Sequence, residues 1–109
     1  MNLSAPHLQT LLATTLAGRG AAGAVICLCA DWCGTCRDYR AVFDQAAAAH
    51  PALAFRWLDI EDEADALGDD VDVETFPTLL IGDARVVRFA GPVLPQAGHL
   101  ARLLRSLDF

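Results

Sequence analysis

Lysine is missing from this chain: all eight basic residues are arginine. That excludes a lysine base, a Schiff-base lysine and the phosphate-binding lysine of a P-loop. Aromatic residues are sparse at 7%, methionine occurs once, and charged residues make up only 20%. No apolar run is long enough to span a bilayer, so no membrane association is expected. The opening residues, Met1-Asn2-Leu3-Ser4-Ala5-Pro6-His7, lack the basic and apolar regions of a secretory signal, and a cytoplasmic location is expected. Positive charge is short as well: the net charge is −6, and nine of the fourteen acidic residues fall between Asp59 and Glu74. Phosphate backbones need the opposite sign, so no nucleic-acid partner is expected, and the acidic run reads as a solvated helix and loop. His7, His50 and His99 have no cysteine or acid at metal-ligand spacing, so neither a metal nor another cofactor is expected.

What is present is a chain of 109 residues, 54% of them hydrophobic. That is the size of one domain, residues 1–109, with a core that needs no disulfide staples. Its four cysteines, Cys27, Cys29, Cys33 and Cys36, are therefore not a scaffold. The run Ala24 to Ala30 is apolar on both faces, as in a central strand covered by helices on each side. A helix is expected from Cys33 toward His50, burying Tyr39, Val42, Phe43, Ala46 and Ala47 and ended by Pro51. Cys33 thus falls at a helix start, where unpaired N–H groups and the helix dipole favour thiolate over thiol. Cys36, three residues on, shares its face, so the two can close a disulfide. On spacing alone, C-x-x-C is equally half of a zinc site or a buried pair of small apolar residues. Cys27 and Cys29 lie two apart on the strand and share one face. They read as buried small residues, with Cys27 the candidate for a third redox thiol.

The remaining elements follow from periodicity and breakers. Met1 to Leu3 is at most a stub of an edge strand. Ser4 reads as the N-cap of a first helix with Leu8, Leu11, Leu12 and Thr15 inward and Gly18 as its stop. Ala52 to Leu58 is a strand, parallel to the previous one after a crossover. Asp59 and the acids after it suit the start of a short helix with Ile60, Ala64 and Leu67 inward, followed by a polar loop from Asp69 to Glu74. Thr78 to Ile81 and Arg85 to Phe89 flank Gly82-Asp83-Ala84 as a hairpin, and Gly91-Pro92 breaks the second strand. Leu100, Leu103, Leu104 and Leu107 define a closing helix.

Three motifs in order resemble the thioredoxin family: Trp32-Cys33-Gly34-Thr35-Cys36 at the strand-to-helix corner, then Thr75-Phe76-Pro77-Thr78, then Gly91. The resemblance implies an α/β thioredoxin fold. That is a single central mixed sheet of four strands plus a short edge strand, with helices on both faces. It implies a thiol-disulfide oxidoreductase in which Cys33 is the nucleophile and Cys36 the resolving thiol. Trp32, Thr75, Phe76, Pro77, Ile60, Ala90 and Gly91 would form the apolar rim that receives a peptide, with Pro77 in a cis-proline loop. Disulfide-containing proteins would be substrates and an upstream reductase would recharge the pair; a monomer is expected. Two positions depart from the family pattern. Where relatives keep a buried aspartate and a lysine beneath the resolving cysteine, this chain has Cys27 and Trp57. Two other functions remain open: a binding or chaperone module of the same fold with incidental cysteines, and a metal or iron-sulfur protein using Cys33 and Cys36.

Overall fold

The computed structural model describes residues 2–3, 5–18, 20–30, 34–59, 71–72, 77–83, 85–93 and 96–107, with backbone alone for 2–3, 5–8, 71–72 and 97. The elements are β1 (Asn2–Leu3), α1 (Ala5–Leu16), β2 (Gly23–Cys29), α2 (Gly34–Ala49), β3 (Leu53–Asp59), β4 (Val71–Asp72), β5 (Thr78–Gly82), β6 (Val87–Pro92) and α3 (Ala97–Ser106). Ser4, the short helix expected after Asp59, and most of the acidic run lie outside the described residues.

The main sheet has the order β3-β2-β5-β6. All seven residues of β2 are buried, because this strand has a neighbour on each edge and helices over each face. It pairs parallel with β3 from Gly23↔Leu53 to Cys29↔Asp59. A parallel pair needs a long crossover, and the 16-residue α2 supplies it. On its other edge β2 runs antiparallel to β5, from Ala24↔Gly82 to Leu28↔Thr78.

Alternation along β2 divides the core in two. Val25, Cys27 and Cys29 point to one face and pack with Tyr39 and Phe43 of α2 and with Leu100 and Leu104 of α3. Ala24, Ile26 and Leu28 point to the other and pack with Leu11 and Leu12 of α1. Phe43 meets both Phe55 and Trp57 edge-on, at centroid distances of 5.3 and 5.5 Å. Of the helix stripes expected from spacing, Leu11, Leu12 and Thr15 in α1, Tyr39 and Phe43 in α2, and Leu100 and Leu104 in α3 are buried, whereas Val42, Ala46, Ala47, Leu103 and Leu107 are half-buried at the margin of the core and the Leu8 side chain lies outside the described residues.

Three expectations for the strands are corrected. The N-terminal stub does not join the main sheet but pairs antiparallel with β4 as a separate two-stranded ladder. Arg85 and Val86 are turn rather than strand, because the Asp83 carboxylate accepts both of their backbone N–H groups, at 2.8 and 2.9 Å. The last strand is not broken at Gly91-Pro92: Gly91 pairs with Leu79 and Pro92 with Thr78. β6 is an edge strand, so a residue with no N–H fits at its end.

Candidate active site

The carboxyl end of β2 is where the chemistry gathers. Parallel β3 ends there too, at Asp59 beside Cys29, while antiparallel β5 begins there, with Thr78 opposite Leu28. Pro77, just before Thr78, is buried at that end, and its carbonyl accepts the Val93 N–H at 3.1 Å. The N-terminus of α2 follows β2 directly in the chain and carries exposed Gly34 and Thr35 and buried Cys36. Gly91 is buried opposite Leu79 on the edge strand. Topology therefore brings Gly34, Thr35, Cys36, Pro77 and Gly91 toward one end of the sheet. Trp32, Cys33, Ile60, Thr75 and Phe76 lie outside the described residues.

Cys36 is joined by a disulfide to Cys29, with the two Cα atoms 5.8 Å apart. This pairing was not expected from sequence, where Cys29 read as a small buried residue and Cys27 as the thiol nearest Cys36. Cys29 is instead the strand residue that bonds Cys36, because it stands at the very end of β2, where the first turn of α2 begins its return across the sheet. Cys27 is free and buried one pleat deeper, its sulfur 3.6 Å from that of Cys29. Burial pushes the Cys27 thiol well above its ordinary value, and the charge of Arg40 opposes that shift more weakly.

Two further side chains complete the surroundings of Cys27. Tyr39 is buried on the same face, and its hydroxyl has no hydrogen-bond partner among the described residues. Burial raises its pKa, and the neighbouring Cys27 adds to the shift. Trp57, at the position where the family pattern has lysine, is the parallel neighbour of Cys27 on β3. Arg40 of α2 lies 4.8 Å from the centroid of its ring, so a cation reaches this region from the helix rather than from the strand. Arg40 was missed in the sequence because nothing in the motif marks it. Among the described residues no group of three or more His, Cys, Asp or Glu side chains is placed to hold a metal ion, and no helix is long and apolar enough to cross a membrane.

A pair of cysteines able to bond and separate at a strand-to-helix corner is a two-electron couple that exchanges with other disulfides through a thiolate. The comparisons with known proteins agree with that chemistry. A family model described as "Thioredoxin" matches residues 16–97. A Streptomyces coelicolor protein named "Putative thioredoxin 2" is 38% identical over 69 residues, covering 62% of this chain and 51% of that protein. The matched segment thus spans about half the length of that curated relative. Among solved structures, thioredoxin f2 of Chlamydomonas reinhardtii superposes with a TM-score of 0.72 at 14% identity, covering 90% of each chain. The long form of spinach chloroplast thioredoxin f gives 0.71 at 16% identity, covering 100% of this chain and 98% of that one. Oxidised mitochondrial thioredoxin 3 of Saccharomyces cerevisiae gives 0.70 at 19% identity, with 91% and 89% covered. At such identities the superpositions establish the fold.

Proposed function

Because the chain belongs to the thioredoxin family, we propose that it is a thiol-disulfide oxidoreductase that reduces protein disulfides through Cys33 and Cys36. The observation that carries this reading is Cys36 itself, a disulfide-bonded sulfur on the first turn of the helix that follows the central strand. The Cys33 thiolate attacks one sulfur of a substrate disulfide, forming a mixed disulfide and releasing the first substrate thiolate. Cys36, deprotonated in turn, attacks the Cys33 sulfur. The second substrate thiolate leaves, the Cys33–Cys36 bond forms, and two electrons have passed to the substrate.

Pro77 at the start of β5 and Gly91 on the edge strand support a peptide-binding rim at this end of the sheet, with Trp32, Ile60, Thr75 and Phe76 as its other members. Substrates would be disulfide-bearing proteins, and an upstream reductase would restore the dithiol. In a reducing compartment such as the cytosol the pair would cycle rather than persist as a bond. The test is insulin reduction by dithiothreitol. The protein should accelerate insulin precipitation, Cys33→Ser should abolish the acceleration, and Cys36→Ser should hold a mixed disulfide with its substrate. An unaccelerated reaction with folded wild-type protein rejects the reading.

A further inference from the structure

The proposed reaction uses two thiols, yet three are gathered on the α2-facing side of β2. Cys27 and Cys29 are fully buried and Cys36 is 1% exposed, so solvent reductants reach none of them directly. Cys29 and Cys36 are bonded, and their Cα separation of 5.8 Å lies within the usual span for a disulfide. No backbone movement is needed to make that bond. The same Cys36 sulfur is the one that the reaction above closes onto Cys33.

We propose that Cys29 is a second redox partner of Cys36, so that the oxidised protein exists as two isomers: one bonded Cys33–Cys36 and one bonded Cys29–Cys36. This rests on the functional reading given above. The step that connects them is internal exchange. The Cys29 sulfur, having given up its proton, attacks Cys36 in the Cys33–Cys36 bond; that bond breaks, the Cys29–Cys36 bond forms, and Cys33 leaves as thiolate and takes up the proton. Nothing is oxidised or reduced overall, and the reverse step begins at Cys33. The chemistry favours the inward direction on two counts. A thiol next to a helix start is a good leaving group, and the buried disulfide leaves no ionisable sulfur at Cys29 or Cys36. In the inward isomer Cys33 retains a free thiol but has lost its resolving partner. It can form a mixed disulfide and cannot complete the reaction until Cys36 returns, which makes the inward bond a resting state of the oxidised protein.

The sequence allows a direct reading. Cleavage at arginine and before aspartate yields residues 20–30, with Cys27 and Cys29, and residues 31–37, with Cys33 and Cys36. The outward bond lies within the second peptide, whereas the inward bond links the two. Full-length wild type equilibrated with glutathione buffers, acid-quenched, alkylated and cleaved without reduction should contain both isomers free of bound glutathione, each with its two remaining thiols alkylated. Their ratio should stay constant across glutathione ratios, because the isomers differ by no electrons. The Cys33→Ser variant should give the linked species alone. Adding Cys27→Ala should leave that link, and adding Cys29→Ala should remove it; fragmentation at Leu28 assigns the linked cysteine even where the Cys29 variant does not fold. The proposal is overturned by oxidised Cys33→Ser protein without a link, by a link assigned to Cys27, or by wild type that shows one species at every glutathione ratio. Insulin reduction by the same wild-type preparation separates the two readings. Activity without any link overturns this inference alone, and two isomers at constant ratio without activity overturn the functional reading alone.

Discussion

The guanidinium of Arg40 stands 4.8 Å from the ring centroid of Trp57, joining the outer part of α2 to β3 beside the buried thiols. Arg40 also reaches Asp44 at 3.4 Å, but those side chains are 54% and 61% exposed, so that ion pair contributes little. The ring contact should carry most of the coupling. A double-mutant cycle with Arg40→Ala and Trp57→Leu, followed by urea unfolding, should return a coupling of about 0.5–1 kcal/mol, the size of a partly exposed cation–π contact. Because an ion pair is screened by salt and the ring contact much less so, the coupling should survive 0.5 M sodium chloride. The Asp44 ion pair cancels in this cycle, so a coupling near zero at low salt would mean that the ring contact contributes nothing to stability.

Gly82 closes the other end of β5 under tight constraint. A Cβ there would run into the Val86 carbonyl oxygen and come within 2.8 Å of Leu12 Cδ1. Neither neighbour gives way easily: the Val86 oxygen accepts the Asp83 N–H at 3.1 Å, and Leu12 is fully buried in the α1-facing core. Gly82→Ala should therefore destabilise the fold by roughly 1–3 kcal/mol, the cost of overpacking. Gly91→Ala is the matched control, since among the described residues its added carbon meets only Phe89 Cζ at 3.8 Å, an ordinary contact. Equal losses from the two variants would remove the packing argument.

These positions show where the sequence is informative and where it is not. A run such as Ala24 to Ala30, apolar at every position and only seven residues long after a glycine-rich loop, suits a strand covered on both faces better than a helix, and Leu100, Leu104 and Tyr39 were legible from helical spacing. Arg85 and Val86 were misread as strand because the interaction that holds them as turn is a side-chain one, from Asp83, which apolar patterning does not register. Pro92 was misread as a breaker because its effect depends on whether the strand is an edge, a property of the whole sheet. The pairing of Asn2–Leu3 with Val71–Asp72 joins segments too short to show any alternation. At the candidate site, shared sidedness of Cys27 and Cys29 followed from strand geometry. Which of them meets Cys36 depends on how α2 folds back over the sheet end, and that is a tertiary fact.

Asp83 should leave a mark on acid stability. Its carboxylate accepts two backbone N–H groups from Arg85 and Val86, and Arg88 stands 3.6 Å away. Chiefly the two N–H bonds, and then Arg88, hold its pKa below the ordinary value of 3.8. A carboxyl whose pKa is lower when folded stabilises the fold fully above its unfolded value and loses that contribution as pH falls through the folded value. Wild type should thus lose stability below about pH 4 more steeply than Asp83→Ala, whose curve lacks this component. Urea midpoints measured from pH 6 to pH 2.5 test the point, and parallel curves would contradict it.

Cys27 makes the opposite prediction at alkaline pH. Burial raises its pKa in the folded protein above the ordinary thiol value of 9.0, with Arg40 opposing. A raised acid keeps its proton in the folded state, while the same thiol ionises in the unfolded chain once the pH passes its ordinary value. Stability associated with Cys27 is therefore fully present below about pH 9 and is lost as pH rises toward the folded value. Between pH 9 and pH 10 the loss should approach roughly 1 kcal/mol, since a full pH unit of difference in ionisation is worth about 1.4 kcal/mol. The comparison is Cys27→Ala, with both proteins oxidised, so that Cys36 is bonded to either Cys29 or Cys33 and the other of those two stays a thiol in each protein. Tyr39, also raised by burial, and that remaining thiol are present in both proteins and largely cancel in the difference. Cys27→Ala costs a small cavity at every pH, so it should start less stable than wild type. The gap should narrow by roughly 1 kcal/mol across that interval, reflecting the lost wild-type ionisation penalty. A gap that stays constant from pH 8 to pH 10 would mean that Cys27 ionises as readily folded as unfolded, and that water or a charge reaches the buried thiol cluster after all.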